Sequence, residues 1–197
     1  MKIGLFGGTF DPLHNGHIKV AQEAKNRLQL DKIIFIPSGD PPHKTDKKVT
    51  DKRHRFNMVK EAVEPVGAFV SDWEMNREEK SYSVETVRHF QAEYPEDDIY
   101  FIIGADSFRD IPTWWHYREL MSLCTFVVVT RPDVSEESLL SLYAGDEIPP
   151  RVFFLEGIFM DISSTEIRRM AKAGKDVSHL VPESVNRYMV AHQLYRS

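Results

Sequence analysis

Apolar positions along the chain follow two rhythms that alternate from one end to the other. Short, nearly continuous apolar runs occupy residues 3–6, 32–37, 68–71, 99–104, 126–130 and 152–155. Runs of this length, rich in Val, Ile and Phe, predict β-strands. The runs at 99–104 and 126–130 are apolar throughout, as expected of central strands covered on both faces. Between them, apolar residues recur at helical spacing. Residues 17–28 predict a helix, and residues 51–63 another, with Phe56, Val59 and Val63 on one stripe. Residues 83–93 predict a third, carrying Val84, Val87 and Phe90. Residues 164–173 and 182–194 predict terminal helices, with Pro182 suited to a helix start. This βαβα alternation predicts an α/β fold with a Rossmann-like, doubly wound parallel sheet and C-terminal helices. In such sheets ligands bind at the carboxyl ends of strands.

No internal repeat interrupts the pattern. The expectation is a single domain over 1–197, whose C-terminal helical part covers about 163–197. Residues 38–50 are polar, with two prolines and several lysines, and read as a mobile loop and candidate lid. Residues 132–150 read as a peripheral excursion with one short helix.

Composition narrows the classes. Hydrophobic residues make up 42% and charged residues 28% of the chain, as in soluble globular proteins. Twenty-five basic against 30 acidic residues give a formal charge of −5, which argues against a nucleic-acid or membrane surface. Cys124 is the single cysteine, so no intrachain disulfide can form, and its place beside an apolar run predicts a buried filler. No apolar stretch approaches the roughly 20 residues of a membrane span. The chain starts directly on a strand without a signal-peptide design, so the cytoplasm is the expected location. Oligomeric state stays open, monomer and homo-oligomer both being compatible with the sequence.

The candidate chemistry lies first in Gly7-Gly8-Thr9-Phe10-Asp11-Pro12-Leu13-His14-Asn15-Gly16-His17. Glycines after a strand let backbone N–H groups approach a ligand, and the helix that follows offers its positive end to an anion. His14 and His17, three apart, face the same space. A tight connection with two surface histidines, or a partial metal site, are the alternatives. The dinucleotide fingerprint G-x-G-x-x-G and the P-loop pattern are both absent after the first strand. A second segment, Ile162-Ser163-Ser164-Thr165-Glu166-Ile167-Arg168, combines helix-capping hydroxyls with an arginine one turn on. A helix N-terminus and a guanidinium there can clamp one anion. A plain capping box of Ser163 and Glu166 is the bland alternative.

The run His14-Asn15-Gly16-His17 resembles the T/HxGH signature of the nucleotidyltransferase superfamily, and residues 162–168 resemble its ISSTxxR motif. Three further stretches narrow the resemblance: Ile36-Pro37-Ser38-Gly39-Asp40-Pro41-Pro42-His43-Lys44, Ser81-Tyr82-Ser83-Val84-Glu85-Thr86, and Ile103-Gly104-Ala105-Asp106 followed by Pro112-Thr113-Trp114. They are similar, in order, to the IPxxxPPHK, SYTxxT and IGxD…PxW segments of bacterial nicotinate-nucleotide adenylyltransferases. The resemblance implies transfer of the adenylyl group of ATP, brought with Mg²⁺, to nicotinate mononucleotide, giving deamido-NAD and pyrophosphate. It implies that His14, His17, Lys44 and Arg168 stabilise the reacting phosphates. Gly8, Thr9 and Phe10 would border ATP, Gly104 and Asp106 its adenosine, and Ser164 and Thr165 its triphosphate. Thr86, Trp114 and Trp115 would form the nicotinate pocket. Trp114 is expected to stack on the pyridine ring, and backbone N–H groups near Thr86 and Trp115 to meet its carboxylate.

Core or interface packing is the alternative for the two tryptophans. Arg53 and Arg55 begin a helix, where the dipole disfavours cations, so an ion pair or anion contact is expected of them. Two departures from the family pattern stand out: Ser83 where Thr is common, and Asp133 after Arg131-Pro132 where glycine is expected. Other readings keep the chemistry but change the acceptor to nicotinamide mononucleotide or phosphopantetheine, or make the chain a silent nucleotide sensor.

Overall fold

The computed structural model describes residues 1–39 and 49–197. Six parallel strands form one sheet: β1 (Lys2–Gly8), β2 (Lys32–Pro37), β3 (Phe69–Val70), β4 (Asp98–Gly104), β5 (Thr125–Val129) and β6 (Val152–Leu155), in the order β3-β2-β1-β4-β5-β6. The order reverses between β1 and β4, which marks the switch point of a doubly wound sheet. There Ile3 faces Ile99 and Phe6 faces Ile102 in parallel register. The apolar run of β4 continues alongside β5, with Ile102 opposite Val127. Phe126, Val127 and Val128 are completely buried, as the uninterrupted run predicted.

The helices are α1 (Asn15–Leu28), α2 (Lys52–Val63), α3 (Ser83–Glu93), α4 (Ala105–Asp110), α5 (Tyr117–Leu123), α6 (Glu136–Ser141), α7 (Ser164–Lys172) and α8 (Glu183–Ala191). The stripe on α3 buries Val84, Val87 and Phe90 as its spacing predicted. On α2, Val59 and Val63 are buried, and Asp51 caps the N-terminus by accepting from the Arg53 N–H at 2.8 Å. α6 is the one short helix expected within 132–150. Two helices were not predicted, α4 and α5. Among the described residues no helix is long and apolar enough to cross a membrane.

Internal packing divides the chain into two compact units. One comprises residues 1–6, 20–33 and 81–159, and the other residues 7–19, 34–80 and 160–197. In the first, a Cβ at Gly4 would lie 2.9 Å from the terminal methyls of Leu30 and Ile33, which would have to shift to admit it. Cys124 is buried, its thiol pushed up to about 12 by burial, which fits an inert filler. In the second, α2 and α8 meet through Tyr188, whose hydroxyl lies 2.8 Å from His54 Nδ1.

Candidate active site

The second unit carries the glycine-rich segment, whose Gly7 and Gly8 are the last residues of β1 instead of following the strand, so the turn itself begins at Thr9. α1 begins at Asn15, two residues earlier than its apolar pattern suggested, so both motif histidines belong to the helix start. The imidazole of His14 folds back to accept the Gly16 N–H at its Nδ1 (3.0 Å). The Nδ1 of His17 accepts the His14 N–H, also at 3.0 Å. The rings stack with centroids 3.6 Å apart. An Nδ1 that accepts cannot carry the proton of a neutral ring, so both Nε2 atoms bear it. Burial lowers the pKa of His14 to about 4. Burial, and then the charge of His14, push His17 well below the usual range. At neutral pH the pair is therefore two uncharged Nε2–H donors.

Phe10 packs against the second histidine of this pair. Its backbone is left-handed (φ 51°), a conformation uncommon for a bulky residue. Its buried ring meets His17 edge-on at 5.0 Å and Phe35 at 5.7 Å. A Cβ at Gly8 would sit 3.1 Å from the Phe10 ring, a tight contact that would push the ring by a few tenths of an ångström. Thr9 is exposed on the same turn.

The second motif packs against the first within this unit. Ser163 is the N-cap of α7, accepting the Glu166 N–H at 3.1 Å. Only half of a capping box forms, since the Glu166 carboxylate pairs with Arg169 instead. The Ser164 hydroxyl donates to the Pro12 carbonyl (2.9 Å). Arg168 donates through Nη1 to the Asp11 carbonyl (2.8 Å) and through Nη2 to the Thr165 hydroxyl (3.3 Å). His14, His17, Ser164, Thr165 and Arg168 are thus gathered around residues 11–14. Lys44 lies outside the described residues, as does most of the expected lid.

Sequence reasoning missed several fasteners of this turn. Asn15 binds the 179–180 segment twice, its N–H on the Leu180 carbonyl (2.9 Å) and its amide on the His179 carbonyl (3.1 Å). The buried Asp11 carboxylate accepts the Thr50 N–H (3.0 Å) and the Tyr195 hydroxyl. Burial, with Asp11 alongside, raises the Tyr195 pKa, so that hydroxyl stays a donor. Arg55, of which an ion pair or anion contact was expected, is also buried, and among the described residues its guanidinium donates to four backbone carbonyls. An arginine in the first turn of a helix, where the dipole disfavours a cation, was the one signal in the sequence.

The first unit holds the remaining residues. Gly104 ends β4, is exposed, and precedes α4 with open space where a Cβ would stand. Asp106, in the first turn of α4, is exposed and pairs with Arg131 (3.0 Å) and Arg109 (3.6 Å). Arg131 was not singled out from sequence. The unexpected Asp133, an exposed residue, forms an ion pair with it at 3.5 Å. Thr86 is buried on α3, and its own N–H donates to the Tyr82 carbonyl (3.1 Å). That N–H is therefore engaged inside the helix start rather than presented to a carboxylate. Trp114 is half-buried, whereas Trp115 is 48% exposed with its ring 4.8 Å from that of Tyr82.

A family model described as cytidylyltransferase-like matches residues 5–170. A Clostridium tetani protein named probable nicotinate-nucleotide adenylyltransferase is 44% identical over 99% of this chain and 99% of its own. One of the same name from Bacillus pumilus is 43% identical over 100% of this chain and 99% of its own. Among solved structures, nicotinic acid mononucleotide adenylyltransferase of Plasmodium falciparum, complexed with NaAD, superposes with a TM-score of 0.81. It is 22% identical, with 98% of this chain and 97% of that one covered, and speaks for the fold. The six-stranded order, the paired motifs and these full-length likenesses agree: the chain belongs to the cytidylyltransferase-like nucleotidyltransferases and, within them, to the nicotinate-nucleotide adenylyltransferase family.

Proposed function

We propose that this protein transfers the adenylyl group of ATP to nicotinate mononucleotide, forming deamido-NAD and releasing pyrophosphate in NAD biosynthesis. The observation that carries the chemistry is the stacked pair of neutral imidazoles at the start of α1, beside Arg168 and the N-terminus of α7. The acceptor rests on the full-length likeness to proteins named for it.

An oxygen of the acceptor phosphate attacks the α-phosphorus in line, forming the new P–O bond. The bond from that phosphorus to the α–β bridging oxygen breaks, and pyrophosphate leaves. The attacking oxygen is already anionic, so no general base is needed. Positioning and charge stabilisation do the work. His14 and His17 donate Nε2–H bonds to the phosphates. Gly8, Thr9 and Phe10 border them, with the Phe10 ring holding His17 in place. Arg168, Ser164 and Thr165 line the triphosphate, and Mg²⁺ comes with ATP. Lys44 stays in this reading on its motif alone. Gly104 and Asp106 are assigned to adenosine, with Arg131 and Arg109 orienting the carboxylate for ribose hydroxyls. Thr86, Trp114 and Trp115 are assigned to nicotinate; the carboxylate partner is a backbone N–H other than that of Thr86. All of these belong to one nucleotidyltransferase domain over 1–197, working in the cytoplasm on small molecules, without nucleic acid or membrane.

The experiment is pyrophosphate release from ATP with Mg²⁺, comparing nicotinate mononucleotide, nicotinamide mononucleotide and phosphopantetheine. The expected result is the highest kcat/KM with nicotinate mononucleotide. An equal or higher value with either other acceptor overturns the assignment. No turnover with any of them favours a nucleotide sensor.

A further inference from the structure

Arg55 is completely buried, and burying a guanidinium is costly unless its donors are satisfied. Its Nε donates to the Thr50 carbonyl (2.8 Å), Nη1 to the Thr9 and Ser38 carbonyls (both 2.9 Å), and Nη2 to the Gly39 carbonyl (3.3 Å). One side chain thereby joins three stretches: the end of β2, the residue two before α2, and the glycine-rich turn. Both backbone groups of Thr50 are held: its carbonyl accepts from Arg55 and its N–H donates to Asp11 (3.0 Å). Asp11 in turn accepts from Tyr195, and its carbonyl receives Arg168. Ser38 closes the ring by donating its N–H to the Gly8 carbonyl (2.9 Å). All these groups lie in one compact unit. A fork of five donors suits several carbonyls at fixed angles; an ammonium group does not.

We propose that Arg55 is a positioning residue for nucleotidyl transfer: with Asp11 as its counterpart, it holds the Thr9–Asp11 turn in register, and through that turn sets His14, His17 and Arg168. Nothing in this role brings Arg55 into contact with substrate. A Cβ-sized displacement of the turn would misaim the two Nε2–H groups, and misplacements of about 1 Å cost up to ~100-fold in rate. The inference rests on the adenylyl-transfer reading for its kinetic readout alone.

The test uses Arg55→Lys in the full chain, with thermal melting to establish that it folds. The expected result is a fall in kcat of about 10-fold or more, with KM for nicotinate mononucleotide nearly unchanged. In a His17→Ala background the same substitution should have less than about a twofold effect, because the group being aimed is gone. A folded Arg55→Lys protein with wild-type kcat, or with the same fold-loss in both backgrounds, overturns the proposal. If Arg55→Lys does not fold, Tyr195→Phe replaces it, since it deletes one hydroxyl from the Asp11 side. There kcat should fall about threefold or more, again less so without His17, and an unchanged kcat overturns the proposal. Should the wild-type protein release no pyrophosphate with any acceptor, the functional reading fails. The positioning claim is then read from the ¹⁵N ring resonances of His14 and His17. They should shift in the folded variant, and unshifted rings overturn it.

Discussion

A Cβ at position 16 would lie 2.8 Å from Cε1 and 2.9 Å from Nδ1 of His14, closer than real Cβ atoms approach. Gly16 therefore makes room for the imidazole rather than for a phosphate. The spacing of His14 and His17 was legible in the sequence, but the reason for the glycine between them was not. It depends on a ring folding back over the backbone, which no spacing rule encodes. Nor was the tautomer legible, because it follows from which nitrogen accepts an N–H. Two predictions belong here. Gly16→Ala should displace the His14 ring and lower kcat about 10-fold or more, with melting temperature checking the fold. His17→Ala should lower kcat at least ~100-fold, the scale of losing one charge-stabilising donor. Steady-state pyrophosphate release measures both, and near-normal turnover in the second removes His17 from the mechanism.

At the scale of elements, the strands and long helices were all legible from apolar rhythm, with ends that differ by up to three residues, as in α8, which stops at Ala191 instead of residue 194. β2, β6 and α3 begin and end where the pattern placed them. α4 and α5 escaped because six or seven residues offer only two core positions each: Ala105 and Phe108 on one, Leu120 and Met121 on the other. Pro112, in the turn between them, reads as a breaker. The ISST segment shows how a structural and a functional reading coexist. Ser163 caps α7, as the bland reading required, while Arg168 on the next turn joins the glycine-rich loop. Ser163→Ala should therefore cost about 1 kcal/mol in urea unfolding, the usual worth of such a cap, and loosen Arg168 as well. A loss of stability without a rise in KM for ATP would separate the cap from the site. On the α4–α5 side, Trp114→Ala should raise KM for nicotinate mononucleotide at saturating ATP while sparing KM for ATP. An unchanged acceptor KM counts against stacking.

For the whole molecule, the neutral histidines link the candidate site to stability. In the unfolded chain a histidine titrates near pH 6.5, whereas folded His14 titrates at about 4 and His17 also well below the usual range. Between these values the unfolded chain binds protons that the folded protein refuses. Stability therefore rises with pH across that window. It is full above about pH 6.5, falls as pH drops toward 4, and levels off below. For His14 the loss between pH 7 and pH 5 is of order 1–2 kcal/mol. The carboxylates with lowered pKa, Glu166 and Asp176, begin to lose their stabilising hydrogen bonds only below their ordinary values of 4.5 and 3.8, so the acid loss between pH 7 and pH 5 belongs to the histidines and not to them. His14→Gln removes the titrating group and keeps an acceptor for the Gly16 N–H. Urea unfolding of wild type and His14→Gln at pH 7 and pH 5 should show a clearly smaller acid loss in the variant. Parallel losses would mean that His14 is not held neutral by burial. A polyphosphate against the two Nε2–H groups stabilises their charged forms and so opposes their low pKa. ATP should then protect the wild-type protein more strongly at pH 5.5 than at pH 7.5. Equal protection at both would place the triphosphate away from the histidine pair.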